Sequence, residues 1–338
     1  MKKIIISICS FLIILLTIFS TYSFFESEAV IRTFITYTSP QYRLTSQLLE
    51  NYYSEDGPLQ QKAEKEIISI TLKGLNLEKW NEYIDYIQLQ VYEDQVLPNS
   101  KSQLIIALNL SKDLAVIGVY DFIGDHYVFH SKIDQLTPIN KINLYQVSSL
   151  DHKALFINQT IDEKFGGFFY EDFIEVYYYL SGDFKKVWHK TIYFEEIYKE
   201  TWIQPQGNDN LWNRVIEETM IEFIKNENDP FKLATATSLK KYTSITPKTP
   251  AIGDFTLANS ETHNDIYYWS ERYQTFILGE ISQDVFLSDA ALLLDLSKGR
   301  ESLYGIPNQN FKLLTSKGEL IYLPKKEFSG MFQFIFEE

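Results

Sequence analysis

From residue 83 onward the chain alternates. Ile87, Leu89 and Val91 fall on one side of an extended chain and Gln88 and Gln90 on the other, the period-two pattern of a half-buried strand. Further strands are expected in LIIALNL (104–110), LAVIGVYDF (114–122) and HYVFHSKI (126–133). After Pro138 the series starts again with INLYQV (142–147), KALFINQTI (153–161), FIEVYYYL (173–180) and FKKVWHKTIYF (184–194). Laid side by side, LAVIGVYDFIGDHYVFHSKI and FIEVYYYLSGDFKKVWHKTI share a strand, a Gly-Asp turn and a second strand with His, Lys and Ile near its end. Upstream, IQLQV echoes INLYQV and IALNL echoes LFINQ. The pattern predicts two copies of a four-stranded antiparallel unit of roughly 55 to 60 residues, propeller-like or built as stacked sheets. Gly124-Asp125 and Gly182-Asp183 are then expected in equivalent hairpin turns, with both glycines at positive φ.

The flanks read differently. Ser39-Pro40 offers a helix start, Leu44, Leu48 and Tyr52 recur at four-residue spacing, and Gly57-Pro58 reads as the stop. LQQKAEKEIISITLKGL (59–75) fits a helix in its first half and a strand in its second, and periodicity leaves both open. Beyond the connector IQPQGNDN, VIEETMIEFI (215–224) and KLATATSLKKYTSI (232–245) read as strands of a third, degenerate unit. Pro247, Pro250 and Gly253 mark a loop and the best subdomain boundary. DIYYWSERYQTFIL reads as a hairpin, and Ser288 as the cap of a short helix through Leu292, Leu293 and Leu296 ending at Gly299. FKLLTSKGELIYLP is a hairpin around Ser316-Lys317-Gly318, and MFQFIF a last strand. The expected organisation is a membrane segment at 1–29, a helical or mixed lead-in at 30–82, a repeated β-sheet domain at 83–247 and an α+β portion at 248–338.

The first segment sets the address. Ile4 to Phe25 carries no charge, enough helix to cross a bilayer core, and Lys2 and Lys3 precede it. Positive residues stay in the cytoplasm, so the body is expected outside, single-pass and tethered. The alternative is a signal peptide cleaved after Ser27-Glu28-Ala29, which would leave a secreted body. Cys9, the only cysteine, lies within this apolar run, so disulfides, thiolate metal sites and cysteine nucleophiles are excluded from the body. Residues 1–29 hold two lysines and two glutamates, so the net charge of −14 belongs to the rest. Such a field repels nucleic acid and anionic lipid surfaces, so membrane contact is expected through the N-terminal segment only.

Candidate chemistry is sparse. His130 and His189 hold matching places in the two strand series and could act as ligands or acid–base groups, although histidine beside Phe129 and Trp188 at a strand end also serves as a packing residue. Glu171-Asp172, Glu195-Glu196 and Glu217-Glu218 are acidic pairs whose neighbours point to opposite faces of a strand, so no single pair makes a hydrolytic site. No HExxH, Asp-rich calcium loop, GxSxG or Gly-rich phosphate loop occurs, and the reading predicts no metal site and no cofactor. Aromatic runs remain: Tyr177-Tyr178-Tyr179 and Tyr267-Tyr268-Trp269 could turn rings outward to sugars or protein, or be buried between sheets. The candidate binding residues are Tyr177, Tyr179, Trp188, His130 and His189. The expected function is an extracytoplasmic binding or scaffolding protein whose partner is an envelope protein or glycan. The competing expectation is an envelope polysaccharide hydrolase with carboxylates drawn from separate strands.

Overall fold

The computed structural model describes residues 42–98, 101–163, 168–225, 230–281, 289–306 and 308–328. The apolar stretch at 4–25, the Ser39-Pro40 helix start and the MFQFIF strand lie outside them, and no helix among the described residues is long and apolar enough to cross a membrane. The protein is mainly β, with three antiparallel sheets among the described residues.

The first sheet has the order β1-β5-β4-β3-β2 and is made of β1 (Arg43–Thr45), β2 (Gln88–Asp94), β3 (Gln103–Ser111), β4 (Leu114–Ile123) and β5 (His126–Leu136). Its pattern follows position. β2 alternates and forms the edge, whereas the unbroken apolar runs of β3 and β4 sit in the middle with both faces covered. Leu104, Ile106 and Leu108 meet two helices, and Ile105, Ala107 and Val119 meet the second sheet. The helices are α1 (Ser46–Tyr52), capped by Thr45, and α2 (Gly57–Gly74), capped by Asp56. The ambiguous segment is therefore helical to its end, and Gly57-Pro58 opens α2 rather than closing α1, with proline in the first turn where no N–H is needed. The helix packs close to the sheet. A Cβ on Gly118 would stand 3.2 Å from the Tyr120 ring and 3.4 Å from the Thr71 methyl, and one on Gly74 3.1 Å from Phe129.

The second sheet runs β6 (Ile139–Tyr145), β7 (Ala154–Glu163), β8 (Phe168–Leu180), β9 (Asp183–Lys199), β10 (Leu211–Ile224), β11 (Lys232–Ile245), β12 (Thr256–Ser270) and β13 (Thr275–Ile277) as one continuous meander. A short helix, α3 (Glu200–Ile203), lies between β9 and β10. The Pro247–Gly253 loop joins β11 to β12 within this sheet. β2–β5 and β6–β9 are thus each a four-stranded meander, and they face each other across a core of Ile105, Ile117 and Val119 against Leu155, Ile157 and Phe184. Tyr177 packs against that same core.

The turns differ in detail. Ile123 pairs with His126 and Leu180 with Asp183, so the loops are Gly124-Asp125 and Ser181-Gly182. Both glycines have positive φ, +67° and +92°, but Ser181 shares it at +52°. The first loop is the type II′ pattern with glycine leading, the second type I′ with glycine following. The two Gly-Asp pairs are therefore offset by one position.

The third sheet, β14 (Gly279–Ile281), β15 (Ala290–Asp295), β16 (Asn310–Thr315) and β17 (Leu320–Pro324), covers the far side of the second. Where a helix is expected at 288–299, residues 290–295 are strand β15, followed by 3-10 turns at Leu296–Lys298 and Arg300–Tyr304, and the expected cap Ser288 lies outside the described residues. The pairing of β15 with β14 and β16 buries Ala290, Ala291 and Leu292, so sheet formation overrides a helix-compatible spacing.

Candidate functional site

Two bulges in β9 shape the region where the second and third sheets meet. Ile192 is unpaired between the Asp172–Tyr193 and Phe173–Thr191 pairs, and Val187 between Val176–Trp188 and Tyr177–Lys186. Bulges add local twist and bend the strand. On this arm of β9, Trp188 and His189 border a cavity of about 690 Å³ closed by β13 and by β15–β17 of the third sheet. Val187, Phe276, Leu293 and Leu314 supply apolar wall, while Lys185, Lys186 and Lys312 supply positive groups and His189 an imidazole. No aspartate or glutamate lines it.

A smaller polar pocket of about 200 Å³ adjoins this cavity and shares His189, Tyr267 and Leu294 with it. Most of its charges are tied together. Arg300, on the 3-10 turn after β15, donates from Nη1 to Glu171 Oε1 at 3.0 Å and to Glu217 Oε2 at 3.4 Å, with its guanidinium 3.9 Å over the Phe194 ring. Thr191 Oγ1 donates to Glu171 at 2.6 Å and Lys190 Nζ to Glu217 at 3.4 Å. Burial opposes the charge of Arg300, but Glu171 and Glu217 more than offset it and raise its pKa. Lys298 pairs with Asp265, and Lys325 with Asp295 at 2.6 Å. The turn is held by Leu303 against Phe194, Val215 and Leu239 and by Tyr304, which donates to Glu196 at 2.5 Å.

Each acidic pair is split by strand alternation. Asp172 accepts from Thr160 and Tyr170, Glu195 meets Arg214 at 2.6 Å, and Glu218 meets Lys240 at 2.8 Å, each away from its neighbour's partners. What comes together instead is one member of two different pairs, Glu171 and Glu217, on either side of Arg300.

The five candidate binding residues fall in three places. Trp188 and His189 line the large cavity. Tyr177 Oη donates to Glu175 Oε2 at 2.9 Å, and His189 Nδ1 lies 3.7 Å from the same carboxylate, so these two share one partner. Glu175 is buried, which opposes its charge, yet hydrogen bonds from His189, Lys186 and Gln159 hold its carboxyl at a pKa of about 2. Tyr179 and His130 pack on each other with ring centroids 5.7 Å apart, and burial lowers the His130 pKa. The two histidines share no axis: one lies against Tyr179, the other against Phe173 and Glu175. Tyr178 is fully buried, stacked on His152 at 4.4 Å.

Sequence reasoning missed Arg300, Lys312 and Glu175. A local signal existed for the cavity: Lys185, Lys186, His189 and Lys190 cluster around Trp188 in a chain with 45 acidic and 31 basic residues. Comparison with family models, with curated proteins and with solved structures returns no match, so the site is argued from its own geometry.

Proposed function

We propose that this is an extracytoplasmic binding protein, tethered through residues 4–25 or released after Ala29, whose ligand enters the cleft between its second and third sheets. The address rests on the uncharged stretch behind Lys2 and Lys3. The observation that carries binding over chemistry is a contrast between neighbouring pockets. Most charged groups of the small pocket are held in ion pairs and acids line it, while the large cavity beside it is open and apolar and is bordered by three lysines and no acid. Pockets of this kind, apolar with a few polar groups to fix orientation, serve recognition. The five-stranded and eight-stranded sheets packed against each other support the cleft. Its partner is a component of the envelope, protein or glycan in the sequence reading.

A second reading, an envelope polysaccharide hydrolase, draws support from Glu171 and Glu217, carboxylates of separate strands brought beside one pocket. Such an enzyme needs one carboxyl to give up a proton to the leaving oxygen. A shared guanidinium favours two anions instead.

The test is a pull-down of the full chain from envelope fractions, beside Leu314→Trp, which fills the cleft. Partners retained by the parent and lost by the variant support the reading, and partners indifferent to the variant sink it. Release of reducing ends from envelope polysaccharide, abolished by Glu217→Gln, would favour the hydrolase.

A further inference from the structure

We propose that the large cavity takes a single-chain anionic amphiphile, an apolar chain ending in a carboxylate or phosphate. This rests on the binding reading above and names the chemistry of the ligand. The first support is charge. The chain carries a net charge of −14, yet the 690 Å³ cavity is bordered by three lysines and a histidine and by no acid. A neutral apolar ligand gives no use for that lining, and a cationic one would be repelled by it. Lys185 and Lys186 are engaged by Asp183 at 3.0 Å and Glu175 at 2.7 Å, whereas Lys312, on the opposite wall, has no ion-pair partner among the described residues. Lys312 is the cation left to meet an incoming anion.

The second support is the shape of the apolar wall. Sugars are recognised on exposed ring faces, but three of the four rings here, Trp188, Tyr267 and Phe276, are exposed by only 7%, 2% and 2%, and the half-buried fourth, Tyr273, carries the Arg272 guanidinium 5.4 Å over its face. The first three also pack edge-on or tilted against one another, Trp188 on Tyr267 at 5.5 Å and on Phe276 at 6.2 Å. These three buried rings offer a sugar no platform to stack on. What they and the leucines leave is a partly open volume of about 690 Å³, inside the ~300–1,000 Å³ of pockets that take a small ligand. Tyr273, which lines the same cavity, has a buried hydroxyl with no hydrogen-bond partner among the described residues. Buried hydroxyls are ordinarily satisfied, so it is a spare donor beside the chain's polar end.

The experiment uses the full chain in nanodiscs of zwitterionic phospholipid and a hexadecanoic acid carrying a mid-chain diazirine. After illumination, labelled peptides are mapped by mass spectrometry, which separates cleft labelling from labelling of the lipid-facing segment. The expected result is saturable labelling within 180–188 and 312–320, competed by hexadecanoate and hexadecyl phosphate but not by hexadecanol. Lys312→Glu should weaken labelling about fivefold, as loss of one part-exposed ion pair plus a repulsion implies. Leu314→Trp should abolish it. Near-ultraviolet circular dichroism checks that both variants fold, and the hexadecanol arm needs no variant. Equal competition by acid and alcohol would overturn the anionic head. Labelling confined to residues 1–41, or not saturable, would overturn the amphiphile. If a glycan or protein from the pull-down is still lost with Leu314→Trp, the cleft stands as a binding site and only its ligand class has failed.

Discussion

The face of β3–β4 that meets the helices and the face of β8–β9 that meets the third sheet belong to the same kind of hairpin, yet one is closed and the other holds a cavity. In the first, α2 lies within van der Waals distance of a glycine, and Tyr120 donates to Thr71 at 3.1 Å to seal the contact. A helix is a narrow cylinder whose side chains can settle into such a groove. In the second, the cover is another sheet and β9 is bent by two bulges, so Trp188, Tyr267 and Phe276 share a core with Leu292, Phe311 and Leu313 of the third sheet while a cavity remains beside it. The lesson is that the covering element, more than the hairpin, decides whether a face becomes core or site.

The largest expected effect tests that difference directly. Ile106, fully buried between β3 and the helices, should cost about 2–5 kcal/mol when changed to alanine, because a filled interface leaves a void. Leu314→Ala on the cavity wall should cost under about 1 kcal/mol, since a cavity already borders it. Denaturant unfolding of the two variants measures both. Equal costs would mean that the two interfaces are equally filled.

Next comes the clamp beside the cleft. Arg300→Ala removes the cation shared by Glu171 and Glu217 and leaves two part-buried anions near each other, a loss of about 2–4 kcal/mol. Arg300→Lys should recover only part, since a point charge lacks the guanidinium fork. Adding Glu217→Gln to Arg300→Ala should restore some stability. If it restores none, the repulsion invoked here is absent.

Glu175 supplies a pH test of the second region alone. Its folded pKa of about 2 lies below the ordinary 4.5, so the unfolded chain takes up its proton first as pH falls. The stabilisation is complete above pH 4.5 and is lost as pH drops from there towards 2. After allowance for water reaching Lys186, about 2 kcal/mol is at stake. Urea unfolding at stepped pH should show a shallower acid slope in Glu175→Gln than in the parent, and parallel slopes would remove Glu175 from the account.

The strands were legible because period two survives in β2 and because a run such as LIIAL has no other use than two-sided burial. The helix from Gly57 was half legible: its isoleucines fit either period, and the signal that decides it, Asp56 accepting from Leu59 N, was masked by reading Gly-Pro as a stop. β15 was not legible, since ALLLDL has helical spacing and only its sheet neighbours make it a strand. The cleft was least legible. Arg300 reaches Glu171 across 129 positions, and Lys312 faces β9 only because β15–β17 fold back over it. Local pattern carries no term for such closures, although the cationic run around Trp188 marked one wall of the site.

The smallest expected effect separates two turns, the one between β4 and β5 and the one between β8 and β9. Alanine at Gly124 or Gly182 should cost about 1 kcal/mol in each case, because both positions hold positive φ and a Cβ is disfavoured there. Neither site is crowded, with nothing within 4 Å of an added Cβ, so the cost is conformational and not steric. Asparagine should tell the turns apart. In the Ser181-Gly182 loop, both central residues have positive φ, the left-handed region that asparagine tolerates, so Gly182→Asn should be nearly neutral. In the Gly124-Asp125 loop only the first residue has positive φ, the glycine-dominated position of a type II′ turn, so Gly124→Asn should keep most of the alanine penalty. Thermal unfolding of the four variants measures this directly. If asparagine rescues both positions equally, the two turns are of one type, and the one-residue offset between the meanders disappears with the distinction.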